Sequence, residues 1–249
     1  TIDRVVAIKT LALTQEFDEE GMKDASERFF HEAAAAGRLN HPNIVTIYDA
    51  GEEHDLSYIA MEYVEGKPLS DFCKPKKLLP IEKVLEIIVR TADALGYAHD
   101  QDVVHRDIKP ANLMYNTKSG KVMVTDFGIA RITSNSRTKT GVILGTPSFM
   151  SPEQMSGQKV DGRSDLFSLA SSMFVLLTGQ RPFDGESLAV LSHQIINEKQ
   201  LDICKIRADI PTSVRNIIDK ALQKDPDKRY SSGVSMKRAV QRCLKGLQE

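Results

Sequence analysis

The chain has 249 residues, of which 41% are hydrophobic and 27% charged, and its 33 basic against 34 acidic side chains leave a formal net charge of −1. That balance suits a water-exposed globular chain with one large core or two modest ones, and excludes disordered and fibrous classes. Without a basic excess or stripe it also excludes a dedicated nucleic-acid binder, so Lys74, Lys76 and Lys77 read as a solvated patch. In chain order, the first quarter has strand character with one helix inserted. RVVAIKT (4–10), IVTIYDAGE (44–52) and LSYIAMEYV (56–64) are rich in β-branched residues, the last two joined by a polar turn as in a hairpin. Between them DASERFFHEAAAAGRL (24–39) predicts a helix capped at Asp24, with Glu27 three residues on, that stops at NHPN.

After EGKP (65–68) the texture turns helical. PIEKVLEIIVRTADALGYAH (80–99) places Val84, Ile87, Ile88, Thr91, Leu95 and Ala98 on one face of an amphipathic helix. Asp165 to Leu177 is apolar nearly all round and predicts a buried helix, followed by amphipathic helices at Pro211–Lys224 and Ser231–Leu247. ITSNSRTKTG (132–141) has no apolar period. The chain thus divides into a strand-rich unit over 1–64 and a helical unit over 65–249. Cys73, Cys204 and Cys243 match neither a CxxC pair nor a disulfide framework, as expected of inert thiols in a reducing compartment. The run from Asp165 to Gly179 is too short and serine-rich to span a bilayer, and no signal peptide opens the chain. The expected location is cytoplasmic, any membrane tether being carried by segments outside this chain.

HRDIKPAN (105–112) concentrates the chemistry. Pro110 forbids a continuing helix and biases Lys109 toward extended backbone, so the segment is a loop. LMYN and KVMVT flank the turn signal TKSG, and folding them as a hairpin centred near Ser119 brings Asn112 opposite Asp126. A carboxylate and an amide oxygen at one end of a hairpin, beside Asp107 and Lys109, form a site for a hard cation and its anionic ligand, with magnesium the best fit.

VAIK with Lys9, Glu32 on the next helix, NHPNIV, HRDIKPAN, DFG (126–128), GTPSFMSPE (145–153), DGRSDLFSLA and DPDKR occur in one order over essentially the whole chain. In these motifs the sequence resembles the catalytic domain of a protein kinase, of the eukaryotic-like serine/threonine type common in bacteria. The resemblance implies an α+β, bilobal fold, with a small β-rich N-lobe carrying one regulatory helix and a larger, mainly helical C-lobe. It implies transfer of the γ-phosphoryl group of ATP, with magnesium or manganese, to serine or threonine hydroxyls of protein substrates. Lys9 would grip the α- and β-phosphates, held by an ion pair with Glu32. Asn112 and Asp126 would ligate the metal, Asp107 would orient the acceptor hydroxyl, and Lys109 would lie near the transferred phosphate. Thr146 would bond to Asp107 and Lys109.

For adenine, the resemblance implies Met61 as guard of the pocket, the backbone of Glu62 and Val64 at its edge, Met114 as floor and Ala7 above. His105 would be structural, packed with Phe127; Asp165 would anchor the catalytic loop, and Glu153 with Arg229 would form a buried ion pair. Arg106 before the aspartate implies a loop docked by phosphate, with autophosphorylation expected at Thr138 or Thr140. No GxGxxG occurs in these 249 residues, where the pattern calls for two earlier strands joined by such a loop. The expectations are an open strand edge able to pair two copies as a homodimer, weakened ATP binding in this segment alone, and a rival reading as a pseudokinase or nucleotide-binding scaffold.

Overall fold

The computed structural model describes residues 4–11, 19–53, 56–127 and 147–248, with backbone alone at 11 and 19–24. Strand β1 (Val6–Leu11) leads to helix α1 (Glu19–Gly37), then to β2 (Ile47–Glu53) and β3 (Leu56–Glu62). The three strands form an antiparallel sheet in the order β1-β3-β2, so β1 is an edge strand among the described residues. Helix α1 begins at Glu19, which places Asp24 inside it rather than at its cap. An acid with Glu27 three residues on is equally an ordinary spacing inside a helix, so the pattern does not by itself mark the first turn. Ala25, Phe29 and Ala33 from α1 meet Val45, Ile59, Met61 and Met123 in the core of the small lobe.

Gly66, at φ 144°, turns the chain out of the sheet; a Cβ there would lie 2.6 Å from the Tyr115 carbonyl oxygen. Strand β4 (Lys67–Pro68) then pairs with β5 (Leu113–Tyr115), and β5 with β6 (Val122–Val124), forming a second small sheet. The small lobe is tied to it by NHPN: Asn43 Nδ2 donates to the Val122 carbonyl at 2.8 Å, and Val124 N–H to the Asn43 carbonyl at 2.8 Å.

Helix α2 (Ile81–His99) buries the six residues that periodicity put on its inner face. Helix α3 (Gly162–Thr178) is buried throughout from Ser164, which is why its apolar residues show no preferred side. Three of its hydroxyls bond within the helix, Ser168 to Ser164 O, Ser172 to Ser168 O and Thr178 to Phe174 O, whereas Ser164 donates to Glu153 and the buried Ser171 hydroxyl has no partner among the described residues. Asp161 caps its start and Gly179, at φ 73°, its end. Helices α4 (Leu188–Asn197), α5 (Thr212–Ala221) and α6 (Gly233–Lys245) complete the large lobe, with Pro211 as the N-cap of α5 rather than its first residue. Among the described residues no helix is long and apolar enough to cross a membrane.

Candidate active site

The site is built from the loop between α2 and β5. The hairpin register pairs Leu113 with Val124, so Asn112 stands opposite Thr125, whose N–H and hydroxyl both donate to the Asn112 carbonyl. The expected partner was Asp126; the turn runs from Asn116 to Lys121, one half-residue earlier than a centre at Ser119 requires. Asp126 follows directly, at φ 65°, a left-handed conformation that turns its carboxylate toward Lys9.

Within the loop, Lys109 Nζ lies 2.7 Å from Asp107 Oδ2, and Asn112 Nδ2 donates to the same oxygen at 2.9 Å and to the Asp107 carbonyl at 2.8 Å. Two donors therefore fix one carboxylate oxygen, and Oδ1 is left for a further donor among the described residues. The amide nitrogen of Asn112 is used by Asp107, which leaves its oxygen unengaged among the described residues. His105 is buried, accepts from Asp107 N–H at Nδ1 and contacts the Thr125 carbonyl through Nε2 at 2.8 Å. That pattern puts the proton on Nε2 and engages both nitrogens, so the ring is a structural brace. Its centroid lies 4.5 Å from that of Phe127.

The loop backbone is held from below by Asp165 on α3. Its Oδ2 accepts from His105 N–H at 2.8 Å and contacts His99 Nε2 at 2.8 Å, while Oδ1 accepts from Arg106 N–H at 2.7 Å. Burial alone would raise this carboxyl, but the hydrogen bond from His99, with the electrostatic pull of the His99 and His105 rings and the His105 amide, holds it below the usual range. Arg106 sits at φ 68°, and its carbonyl accepts from Gln154 Nε2 at 2.7 Å. Sequence reasoning missed His99 and Gln154. The Ser151–Gln154 capping box was legible as S-x-x-Q, whereas His99 gave no signal beyond its place in the last turn of α2.

Lys9 is on β1, and its Nζ lies 2.8 Å from Asp126 Oδ1. The expected Lys9–Glu32 ion pair is not made in this conformation. Helix α1 turns Glu32 to the 105–112 loop, with Oε1 4.0 Å from Arg106 Nη1, and Asp126 is the carboxylate within reach of Lys9. Ala7 faces Met61 across β1 and β3. Ala7, Val64 and Met114 all pack on the cluster that contains Met61 and Met123. Glu62 donates its N–H to Thr46 O, and its carboxylate lies 3.2 Å from Lys121 Nζ. Val64 N–H enters no hydrogen bond among the described residues. Thr138, Thr140 and Thr146 lie outside the described residues.

The oxygen donors that the sequence offers for a cation here are one carboxylate, Asp126, and one amide oxygen, Asn112. Among the described residues no three His, Cys, Asp or Glu side chains converge as an all-protein metal cage. Hard oxygen donors in so small a number fit magnesium, which is normally completed by waters and substrate phosphates.

A family model described as the protein kinase domain matches residues 1–243. The serine/threonine-protein kinase PrkC of Bacillus subtilis is 41% identical over 94% of this chain and 36% of its own length. PknB of Mycolicibacterium smegmatis is 39% identical over 88% of this chain and 36% of its own, and PksC of Streptomyces coelicolor 40% identical over 95% and 44%. The chain thus spans 36–44% of the length of these curated relatives.

Proposed function

The chain belongs to the protein kinase family, and from that premise we propose that it transfers the γ-phosphoryl group of ATP to serine or threonine hydroxyls of proteins. The observation that carries this reading is the bonded set Asp107, Lys109 and Asn112 on one loop, with Lys9 and Asp126 paired beside it. Phosphoryl transfer through a loose transition state needs positioning and cations more than covalent help. Asp107, with one oxygen fixed and the other available, orients the acceptor hydroxyl and takes its proton. Lys109 supplies positive charge beside that oxygen, and Lys9 supplies it at the other end of the phosphates. When bound, a divalent cation held by Asp126 and Asn112 neutralises the phosphate oxygens. The apolar side chains of Ala7, Met61, Val64 and Met114 take the adenine, with the Val64 N–H as donor to its edge.

Serine and threonine as acceptors are favoured by Lys109, two residues after the aspartate, and by the relatives, which are serine/threonine-protein kinases. Regulation by phosphate at Thr138 or Thr140, docking on Arg106, belongs to the same proposal; mass spectrometry after incubation with ATP and magnesium, finding no phosphate between Ile132 and Thr146, refutes that part. The test of the whole is transfer of labelled γ-phosphate to a protein substrate, with Asp107→Asn as comparison. A fall of about a hundredfold or more is expected, and equal transfer by the variant overturns the assignment.

A further inference from the structure

Helix α6 carries Lys237, Arg238, Arg242 and Lys245 and no acidic residue, in a chain whose formal net charge is −1. It lies against α2 at backbone distance, for a Cβ on Gly233 would stand 2.5 Å from the Gly96 nitrogen. Between the two helices runs a groove of about 570 Å³. Half-buried Val89 and Leu244 give it apolar lining, and Arg90, Arg238, Arg242 and Lys245 give it positive charge.

Two acids of α2 near the groove are already paired. Asp93 lies 2.8 Å from Lys237 Nζ, and Glu86, the one carboxylate in the groove, lies 2.6 Å from Lys83 Nζ. Arg238, Arg242 and Lys245 make no ion pair among the described residues. Arg238 and Arg242 are four residues apart and Arg242 and Lys245 three, spacings at which like charges repel on a helix. The helix dipole favours Arg242 and Lys245 in the last turn. It accounts neither for Arg238 nor for Arg90, which reaches in from α2 while donating to the Gly120 carbonyl.

We propose that this groove docks an acidic protein segment bearing apolar anchor side chains. The cations would pair with its carboxylates, the arginines through bidentate hydrogen bonds. Val89 and Leu244 would take side chains of leucine size, as in helix-in-groove recognition. A lipid surface fits less well, because the apolar contacts are recessed between helices instead of protruding from them. None of the lining residues belongs to the phosphate site, so binding here stands or falls separately from phosphoryl transfer.

The probe is a fluorescent peptide of about 14 residues, mostly glutamate, with two leucines one helical turn apart. Anisotropy titrations at about 50 mM and 300 mM salt measure its affinity for the protein and for the double variant Arg238→Glu/Arg242→Glu. Saturable binding weakened about tenfold or more by the variant, and weakened by salt, is the expected result. Both arginines are exposed, so the variant should keep its melting temperature; if it does not, Arg238→Gln/Arg242→Gln replaces it. Equal affinity of the variant overturns the proposal. So does undiminished binding of a peptide with serines for the leucines, or binding only to vesicles containing phosphatidylglycerol. Transfer of phosphate to a short peptide without acidic residues should be unchanged in the variant.

Discussion

Lys9 Nζ stands 2.8 Å from Asp126 Oδ1, the cation of the small lobe against the carboxylate that follows β6. Both side chains are partly open to solvent, at 42% and 25% exposure, so the pair adds little to stability. Lys9→Met is expected to leave unfolding free energy within about 1 kcal/mol of the parent. Under the proposed function phosphoryl transfer should fall about a hundredfold or more, because Lys9 would supply its charge to the phosphates. Urea titration and a transfer assay on the same preparation check both halves; a large loss of stability would mean that Lys9 is a structural cation instead.

Asp165 joins α3 to the 105–112 loop through the His105 and Arg106 amides and to α2 through His99, and Gly162 protects the last of these contacts. A Cβ at 162 would lie 2.5 Å from His99 Nδ1, the ring that Asp165 holds through Nε2. Gly162→Ala is therefore expected to push His99 off Asp165 and to lower activity with only a modest loss of stability. Asp165→Asn should cost more, about 3–5 kcal/mol, because one donor then faces an amide N–H in a buried site. The carboxyl is held below its ordinary range in the folded state, so its stabilisation is present above the unfolded pKa and lost as pH falls through the folded one. Acid unfolding should lose part of its pH dependence below about pH 4 in the variant.

Glu153 and Arg229 form a buried two-point pair, with Nη1 to Oε1 at 2.7 Å and Nη2 to Oε2 at 2.8 Å. Arg229 also donates to the carbonyls of Gln223 and Lys224, and Ser164 donates to Glu153. The guanidinium fork serves both partners at once, so Arg229→Lys should not substitute for it. Arg229→Met leaves an uncompensated carboxylate and is expected to cost about 3–5 kcal/mol in denaturant titrations. A loss below about 1 kcal/mol would show that the pair is dispensable.

The parts of this architecture written within a few residues were legible in the sequence. Lys109, Asp107 and Asn112 bond to one another inside one loop, and the inner face of α2 follows a 3.6-residue period. Relationships set by packing between distant elements were harder. Whether Glu32 meets Lys9 or Arg106 depends on how α1 is rotated against the large lobe, which local patterning does not encode. His99 was invisible because its role exists only once α3 brings Asp165 beneath it. The hairpin register slipped by one because TKSG names a turn without fixing its centre; the bonds between Asn116 and Lys121 fix it.

Lys224 gives the clearest dependence on pH. Its Nζ donates to the carbonyls of Gln194 at 3.1 Å and Ile195 at 2.6 Å, in the last turn of α4, and lies 3.9 Å over the Phe183 ring. It thus caps that helix from outside it. Burial first, then repulsion from Arg229, lower its pKa from 10.5 to about 8, against a smaller upward pull from Glu198. Between those two values the unfolded chain binds more protons than the folded one, so this group makes stability rise with pH across the window. Below it both states carry the charge, and the folded state bears the full cost of the buried cation. Lys224→Met removes that cost but orphans two carbonyls, for a net loss of about 1–2 kcal/mol near neutral pH. The difference in stability between parent and variant should therefore widen from about pH 8 to 10.5. Paired urea titrations measure it, with the other lysines and tyrosines cancelling in the difference; parallel curves would mean that Lys224 titrates as an ordinary surface amine.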